Sequence, residues 1–182
     1  PRQQRSHTLA GQGREMTIAH DFEYARPGSL EDAVALLDRD GARVLAGGTD
    51  VVPWLRDDLI EPTLLVDIKA IPGLADIGVD GARMRIGALV TCTDLIASPV
   101  IGEHAPMLAE MAGQVASTGI RNRATVVGNV CSAVPSLDAG PALMVFDGAV
   151  EIAGPHGDRL VPLEDWFLGP RATRLGSGEV AI

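Results

Sequence analysis

Apolar positions along the chain switch between two periods, and the switches mark the elements. Leu30, Ala33, Val34 and Leu37 recur at i, i+3, i+4 and i+7, the stripe of an amphipathic helix, and Ser29 with Asp32 forms a capping-box-like start. Glu31, Asp32, Asp38, Arg39 and Asp40 fall mostly on its wet face, and Gly41 ends it. Extended runs flank this helix: Thr17 to Tyr24 before it, Arg43 to Ala46 after it, and Leu64-Leu65-Val66-Asp67-Ile68 beyond Pro62. With a second helix over Val51, Trp54 and Leu55, the order strand, helix, strand, helix, strand predicts a small parallel sheet.

Downstream the pattern becomes antiparallel. Leu74 to Val79 and Arg83 to Leu89, joined by Asp80-Gly81, read as a hairpin. Thr93 or Asp94 caps a short helix through Ile96. Ala105 to Ala116 forms another, with Met107, Leu108, Met111 and Val115 as its apolar side and its methionines as core filling. Ala142-Leu143-Met144-Val145-Phe146 reads as a buried helix, and Ala149 to Ala153 pairs with Arg159 to Pro162. Trp166 and Phe167 close the core, and Trp54 is read as core packing rather than a stacking surface. Residues 1–15 carry Arg2, Arg5 and Arg14 without an apolar stretch, so they are read as a disordered tail and not a secretory signal. The expected organisation is that tail, a first lobe over 16–72 and a second lobe over 73–182.

Two glycine-bearing segments carry the candidate chemistry. In Leu45-Ala46-Gly47-Gly48-Thr49-Asp50, the glycines lack a Cβ and permit positive φ, so a ligand can approach the main chain, and Thr49 adds a hydroxyl donor. Asp50 is expected to cap the helix that follows rather than face an anion, which a carboxylate would repel. A plain strand-to-helix turn explains the same residues equally well. In Thr125-Val126-Val127-Gly128-Asn129, a hydroxyl, a bare backbone and an amide recur, and Asp138 offers an acceptor for ribose or ribityl hydroxyls. Its plain reading is a buried strand, Thr125 to Val127, ending in a Gly-Asn turn. Taken together, the two segments predict a diphosphate clamp built on free backbone N–H groups.

The order of these motifs resembles one family. Phe22-Glu23-Tyr24-Ala25-Arg26-Pro27, the first glycine turn, Asp67-Ile68, Ile86-Gly87-Ala88, the run Ile120-Arg121-Asn122-Arg123-Ala124 leading into the second segment, and Pro135-Ser136-Leu137-Asp138 are similar to the FAD-binding medium subunits of molybdenum hydroxylases. The resemblance runs from about Ile18 to Ile182 and implies FAD as cofactor, bound without a covalent link. It implies an α+β fold of the vanillyl-alcohol oxidase and p-cresol methylhydroxylase type, a small βαβ lobe against a larger antiparallel lobe. By position it assigns Ala46, Gly47, Gly48, Thr49 and Asp50 to the diphosphate, with Leu45 and Val51 flanking them. Thr125, Val126, Val127, Gly128 and Asn129 complete the diphosphate and flavin-side pocket, Ile120 belongs to the same cofactor site, and Asp138 falls to the ribityl or ribose hydroxyls. Two positions depart from the family pattern: Val127 stands where the first glycine of a pair is usual, narrowing the approach to the cofactor, and Ala124 stands where glycine is common. Relatives continue past Ile182, so a truncated member is expected.

The implied role is an oxidoreductase subunit for electron transfer. A molybdopterin large subunit oxidises the substrate, a small subunit passes electrons through [2Fe–2S] clusters, and FAD hands them to an acceptor such as NAD, oxygen or a quinone. A non-catalytic scaffold of the same fold that has lost FAD is the competing expectation.

Composition narrows these readings in three ways. Net charge is −9, from 15 Lys and Arg against 24 Asp and Glu, which excludes nucleic-acid binding over the whole surface. Arg121 and Arg123 are a local basic pair, facing either an anionic cofactor or a partner's acids. The longest uncharged run, Ala124 to Leu137, is 14 residues and holds Gly128 and Pro135, short of the ~20 residues that span a bilayer. Only Cys92 and Cys131 are present, too few for the four ligands of an iron–sulfur cluster, and they read as small apolar residues in a reducing, cytoplasmic compartment. His7, His20, His104 and His156 show no metal-ligand spacing.

Overall fold

A computed structural model describes Ile18 and residues 20–182 of the chain. The tail over 1–15, His7 and the start of the first expected strand lie outside the described residues.

The first part follows the predicted alternation. Strand β1 (Glu23–Ala25), helix α1 (Leu30–Leu37), β2 (Ala42–Leu45), α2 (Val51–Arg56) and β3 (Leu64–Asp67) lead into one 3₁₀ turn, Ile68–Ala70. The strands form a parallel sheet in the order β1-β3-β2. All four residues of β3 are buried, as a central strand covered on both faces requires, whereas no residue of the outer strands β1 and β2 is fully buried. Ser29 Oγ accepts from the Asp32 N–H at 3.1 Å, so α1 starts at its predicted cap, and Ala33 and Leu37 bury its stripe.

The hairpin β4 (Ile77–Asp80) and β5 (Arg83–Ile86) follows. Asp80 pairs with Arg83, so the turn residues are Gly81-Ala82 and not Asp80-Gly81; Gly81 has φ +59° and takes the first central position, where a II′ turn demands glycine.

A run of short helices comes next: α3 (Cys92–Ala97), α4 (Pro99–His104), α5 (Pro106–Gln114), α6 (Thr118–Arg121), α7 (Val126–Ser132) and α8 (Ala139–Met144). Helix α3 is capped by Thr91, with Asp94 as the reciprocal partner of a complete capping box; the expected caps Thr93 and Asp94 lie inside the helix. The apolar run to Phe146 is not a buried helix. Helix α8 ends at Met144, and Met144, Val145 and Phe146 are exposed.

The chain then forms β6 (Ala149–Ala153), β7 (Arg159–Pro162), α9 (Leu163–Trp166), β8 (Phe167–Gly169), β9 (Ala172–Thr173) and β10 (Val180–Ala181). Strands β10-β6-β7 make an antiparallel sheet, and β8 pairs with β9. The architecture is α+β. Two apolar clusters hold it. One centres on Val90, Leu95, Ile101, Ile152 and the fully buried Trp166, whose Nε1–H donates to the Val130 carbonyl at 3.1 Å. The other packs α1 and the parallel sheet against Ala153, Val180 and Ile182 from the far end of the chain. Val127 packs against both.

Candidate functional site

The first glycine turn leaves the sheet at the C-terminal end of β2, where open parallel sheets place their ligands. Gly48 has φ +79°, the left-handed region that favours glycine. Gly47 is needed for a different reason: a Cβ there would lie 1.9 Å from the Arg123 carbonyl oxygen. Its missing side chain admits the backbone of the second segment, not a ligand as the sequence reading held. Among the described residues no acceptor takes the N–H groups of Gly47, Gly48, Thr49, Asp50 or Val51. Asp50 sits at the helix start, but its side chain makes no capping bond. Its carboxyl is half-buried; burial pushes its pKa up, opposed by a hydrogen bond with Ser132.

The turn is braced from behind. The Lys69 ammonium donates to the Ala46 carbonyl at 3.1 Å and pairs with Asp67 Oδ1 at 2.8 Å. The Tyr24 hydroxyl donates to Asp67 Oδ2, and the Lys69 N–H to Asp67 Oδ1 at 2.9 Å. Burial raises the Asp67 pKa, but the bonds from Lys69 and Tyr24 outweigh it and hold the carboxyl below its ordinary value.

The second segment is neither a strand nor a turn but the N-terminus of α7. Thr125 is its cap, accepting from the Gly128 N–H at 3.0 Å. A Cβ at Gly128 would lie 2.6 Å from that hydroxyl, so this glycine makes room for the cap. The Val126 N–H is taken by the Val90 carbonyl, while the Val127 N–H has no acceptor among the described residues. Asn129 Oδ1 accepts from the Ala139 N–H at 2.9 Å, tying α7 to α8 and leaving its amide NH₂ as the donor it can offer. Asp138, at the start of α8, is exposed and makes no capping bond.

These pieces meet at one cavity of about 690 Å³, inside the range of ~300–1,000 Å³ typical of small-molecule sites. Ala46, Gly47, Gly48, Thr49, Asp50, Val51, Ile120, Thr125, Val127, Gly128, Asn129 and Asp138 all line it. Leu45 and Val126 do not; Leu45 has its Cδ1 against Gly48, and Val126 is buried in the core. Val127 forms part of the wall while packing on both apolar clusters.

Other lining residues were missed by the sequence reading. Trp54 is half-exposed on the cavity rather than in the core, with the Arg171 guanidinium 5.5 Å from its ring centroid. Arg171 is held at φ +57° with its N–H on the Ala133 carbonyl at 2.7 Å. Gly176-Ser177-Gly178 closes the same side, and its glycine-serine composition was the one local signal available. Arg121 does not line the cavity: its guanidinium bonds the Val115 and Ala116 carbonyls and the Thr118 hydroxyl. Cys131 lines the cavity, but burial pushes its thiol up to about 12, so it stays protonated. Among the described residues no cluster of His, Cys, Asp and Glu could hold a metal, and no helix is long and apolar enough to cross a membrane.

Fold and site together define an α+β domain with a cavity between a glycine turn and a helix start. Residues 20–182 match the family described as the FAD binding domain in molybdopterin dehydrogenase, and the chain belongs to it; FAD is the cofactor of that family. The carbon monoxide dehydrogenase medium chain of Hydrogenophaga pseudoflava is 37% identical over 163 residues, covering 88% of this chain and 57% of that protein. The xanthine dehydrogenase FAD-binding subunit of Escherichia coli O157:H7 is 36% identical over 165 residues, covering 89% and 56%. The reconstituted CO dehydrogenase from Oligotropha carboxidovorans superposes with a TM-score of 0.88 at 34% identity, covering 90% of this chain and 58% of that one. The chain thus spans somewhat more than half the length of these relatives.

The residues present fit FAD. Backbone amides that have no acceptor among the described residues suit a diphosphate, and Asp138 supplies a hydroxyl acceptor on the same cavity.

Proposed function

We propose that this chain holds FAD in the cavity between the Gly47-Gly48 turn and helix α7, as the electron-transfer flavoprotein part of a molybdopterin-dependent hydroxylase or dehydrogenase. One observation carries the reading: successive backbone N–H groups, Gly47 to Val51, have no acceptor among the described residues and lie on the wall of a cavity that Asp138 also lines. The amides of Gly47 to Val51 would take the diphosphate, Asp138 the ribityl or ribose hydroxyls, and Ile120, Thr125, Val127, Gly128 and Asn129 the wall beside them. Leu45 and Val126 act only through the backbone they fix. The lobes 16–72 and 73–182 would each supply one side. FAD held there would supply redox chemistry that can take up electrons singly and release them in pairs, which would suit a junction between one-electron clusters and a two-electron acceptor. No side chain here has to move a proton; the protein's work is placement. Cluster electrons would come from a [2Fe–2S] small subunit beside a molybdopterin large subunit, and leave for an acceptor such as NAD, oxygen or a quinone, in the cytoplasm.

Absorbance and tryptophan emission test this together. The chain with its two tryptophans should retain a visible flavin band after excess FAD and desalting, released on denaturation and weakened by Gly48→Val or Asp138→Ala. Emission should be quenched on binding, with Trp54→Phe removing most of the quench, because Trp54 lines the cavity and Trp166 is buried away from it. Absence of both band and quench under excess FAD would leave a scaffold that has lost its cofactor.

A further inference from the structure

A buried ionic group lies directly behind the glycine turn yet contributes nothing to the cavity wall. Asp67 is 3% exposed, and each of its oxygens is engaged: Oδ1 by the Lys69 ammonium and N–H, Oδ2 by the Tyr24 hydroxyl. Burying a carboxylate is costly unless it is fully paired, so a site like this calls for a reason beyond stability. The other bond of the ammonium supplies one, since Lys69 Nζ also donates to the Ala46 carbonyl at 3.1 Å.

That carbonyl belongs to the Ala46–Gly47 peptide, which is trans, because the described chain has no cis bond. In a trans peptide the C=O and the following N–H point in opposite directions. Lys69 does not line the cavity, while Ala46 and Gly47 do. Pinning the carbonyl from behind therefore turns the Gly47 N–H forward, and this N–H has no acceptor among the described residues. A charge-assisted bond to the carbonyl also polarises the peptide and makes the N–H a better donor.

We propose that Lys69, held by Asp67 and Tyr24, is a positioning residue that aims the Gly47 N–H at the diphosphate of the bound flavin dinucleotide, so the network selects diphosphate-bearing ligands. This rests on the FAD reading above. Asp67 balances the ammonium, so the effect is on the orientation and strength of one donor, not on the net field of the cavity. Lys69 is a positioning residue and not a catalytic one.

The test is an equilibrium titration of the purified chain with three probes: FAD, ADP and riboflavin. The variant is Lys69→Met with Asp67→Asn, which removes the ion pair without leaving a buried charge. FAD and ADP should each bind about tenfold more weakly, equivalent to about 1.4 kcal/mol, while riboflavin, which has no phosphate, changes less than twofold. Tyr24→Phe, at a 56% exposed position, keeps Lys69 and Asp67 in place and should weaken FAD and ADP by about twofold with riboflavin unchanged. If the double variant does not fold, Tyr24→Phe with Lys69→Arg decides by the same comparison, Lys69→Arg keeping a donor and losing less than the double variant predicts. Equal weakening of all three probes would make the network merely structural and overturn the proposal, as would unchanged FAD and ADP binding. A wild-type chain that binds ADP but not FAD would sink the FAD reading while leaving the diphosphate selection standing; binding of neither would sink both.

Discussion

At the residue scale, Gly47 and Gly48 stand side by side and are glycine for different reasons. Gly48 needs its backbone conformation, at φ +79°, and an added Cβ would meet only the ends of the Leu45 and Val52 side chains at 3.3 and 3.5 Å. Gly48→Ala should therefore cost about 1–2 kcal/mol, the strain of a left-handed non-glycine residue. Gly47→Ala places a Cβ 1.9 Å from the Arg123 carbonyl oxygen and 2.9 Å from its carbon, and backbone cannot swing aside as a side-chain end can. It should cost about 3 kcal/mol, the upper end for overpacking, and weaken FAD by pushing the two cofactor-binding segments apart. Urea midpoints of the two variants check this; equal, small losses would mean that the Arg123 backbone is free to move. The sequence marked both glycines for positive φ and for ligand approach; Gly48 has that φ, whereas the space beside Gly47 is filled by the Arg123 carbonyl. The carbonyl that occupies the Gly47 position comes from 76 residues further along, beyond the reach of any local pattern.

At the scale of elements, helix α7 carries the second half of the site, so its start decides where Val127 and Asn129 stand. Thr125→Ala removes the hydroxyl that accepts from the Gly128 N–H and should destabilise the chain by about 1 kcal/mol. Thr125→Ser should restore most of this, and thermal melts of the pair check it; an alanine variant as stable as the parent would show that the cap carries nothing. The helix was legible only in part. Thr125, Gly128 and Asn129 were marked, but Val126 and Val127 bias a single-sequence reading toward a strand, and packing of Val126 and Val130 into the core overrides that bias. By contrast β1, α1, β2, α2 and β3 came from the sequence in the right order, because caps and apolar stripes act within a few residues. Helix α8 shows the limit of such patterns: its apolar run continues to Phe146, yet Val145 is 70% exposed.

At the scale of the whole molecule, Asp67 and Glu179 fasten distant parts of the chain and set its response to acid. Asp67 joins β1, β3 and the glycine turn. Glu179 is held below its usual range chiefly by the Arg159 guanidinium, at 2.7 and 2.9 Å, and also accepts from the Gly176 N–H, tying β7 to the approach of β10. Both carboxyls have folded pKa values below their unfolded ones. Their stabilisation is therefore complete above the unfolded values, about 3.9 for Asp and 4.3 for Glu, and is lost as pH falls through the lower folded values. Asp50 runs the other way: burial raises its pKa, so its charged form costs stability at neutral pH, and protonation relieves it as pH falls. Melting temperature should hold from neutral pH to about 5 and drop below about 4. Asp67→Asn and Glu179→Gln should each shrink that acid drop, with Asp50→Asn raising the neutral plateau. An unchanged acid limb in Asp67→Asn and Glu179→Gln would place the acid sensitivity elsewhere.

The sequence by itself determined the Ser29 cap, the parallel βαβαβ order, the family and the cofactor, since each is written in residues near one another or in motifs kept in order along the chain. Only the tertiary structure decided that Gly47 receives the Arg123 carbonyl, that Trp54 and Arg171 face the cavity, and that Arg121 serves its own loop. It also decided that Lys69 braces the turn from behind. Local conformation depends on a few torsions and near neighbours and can be read in a short window, whereas a contact between distant segments exists only once the whole chain has packed.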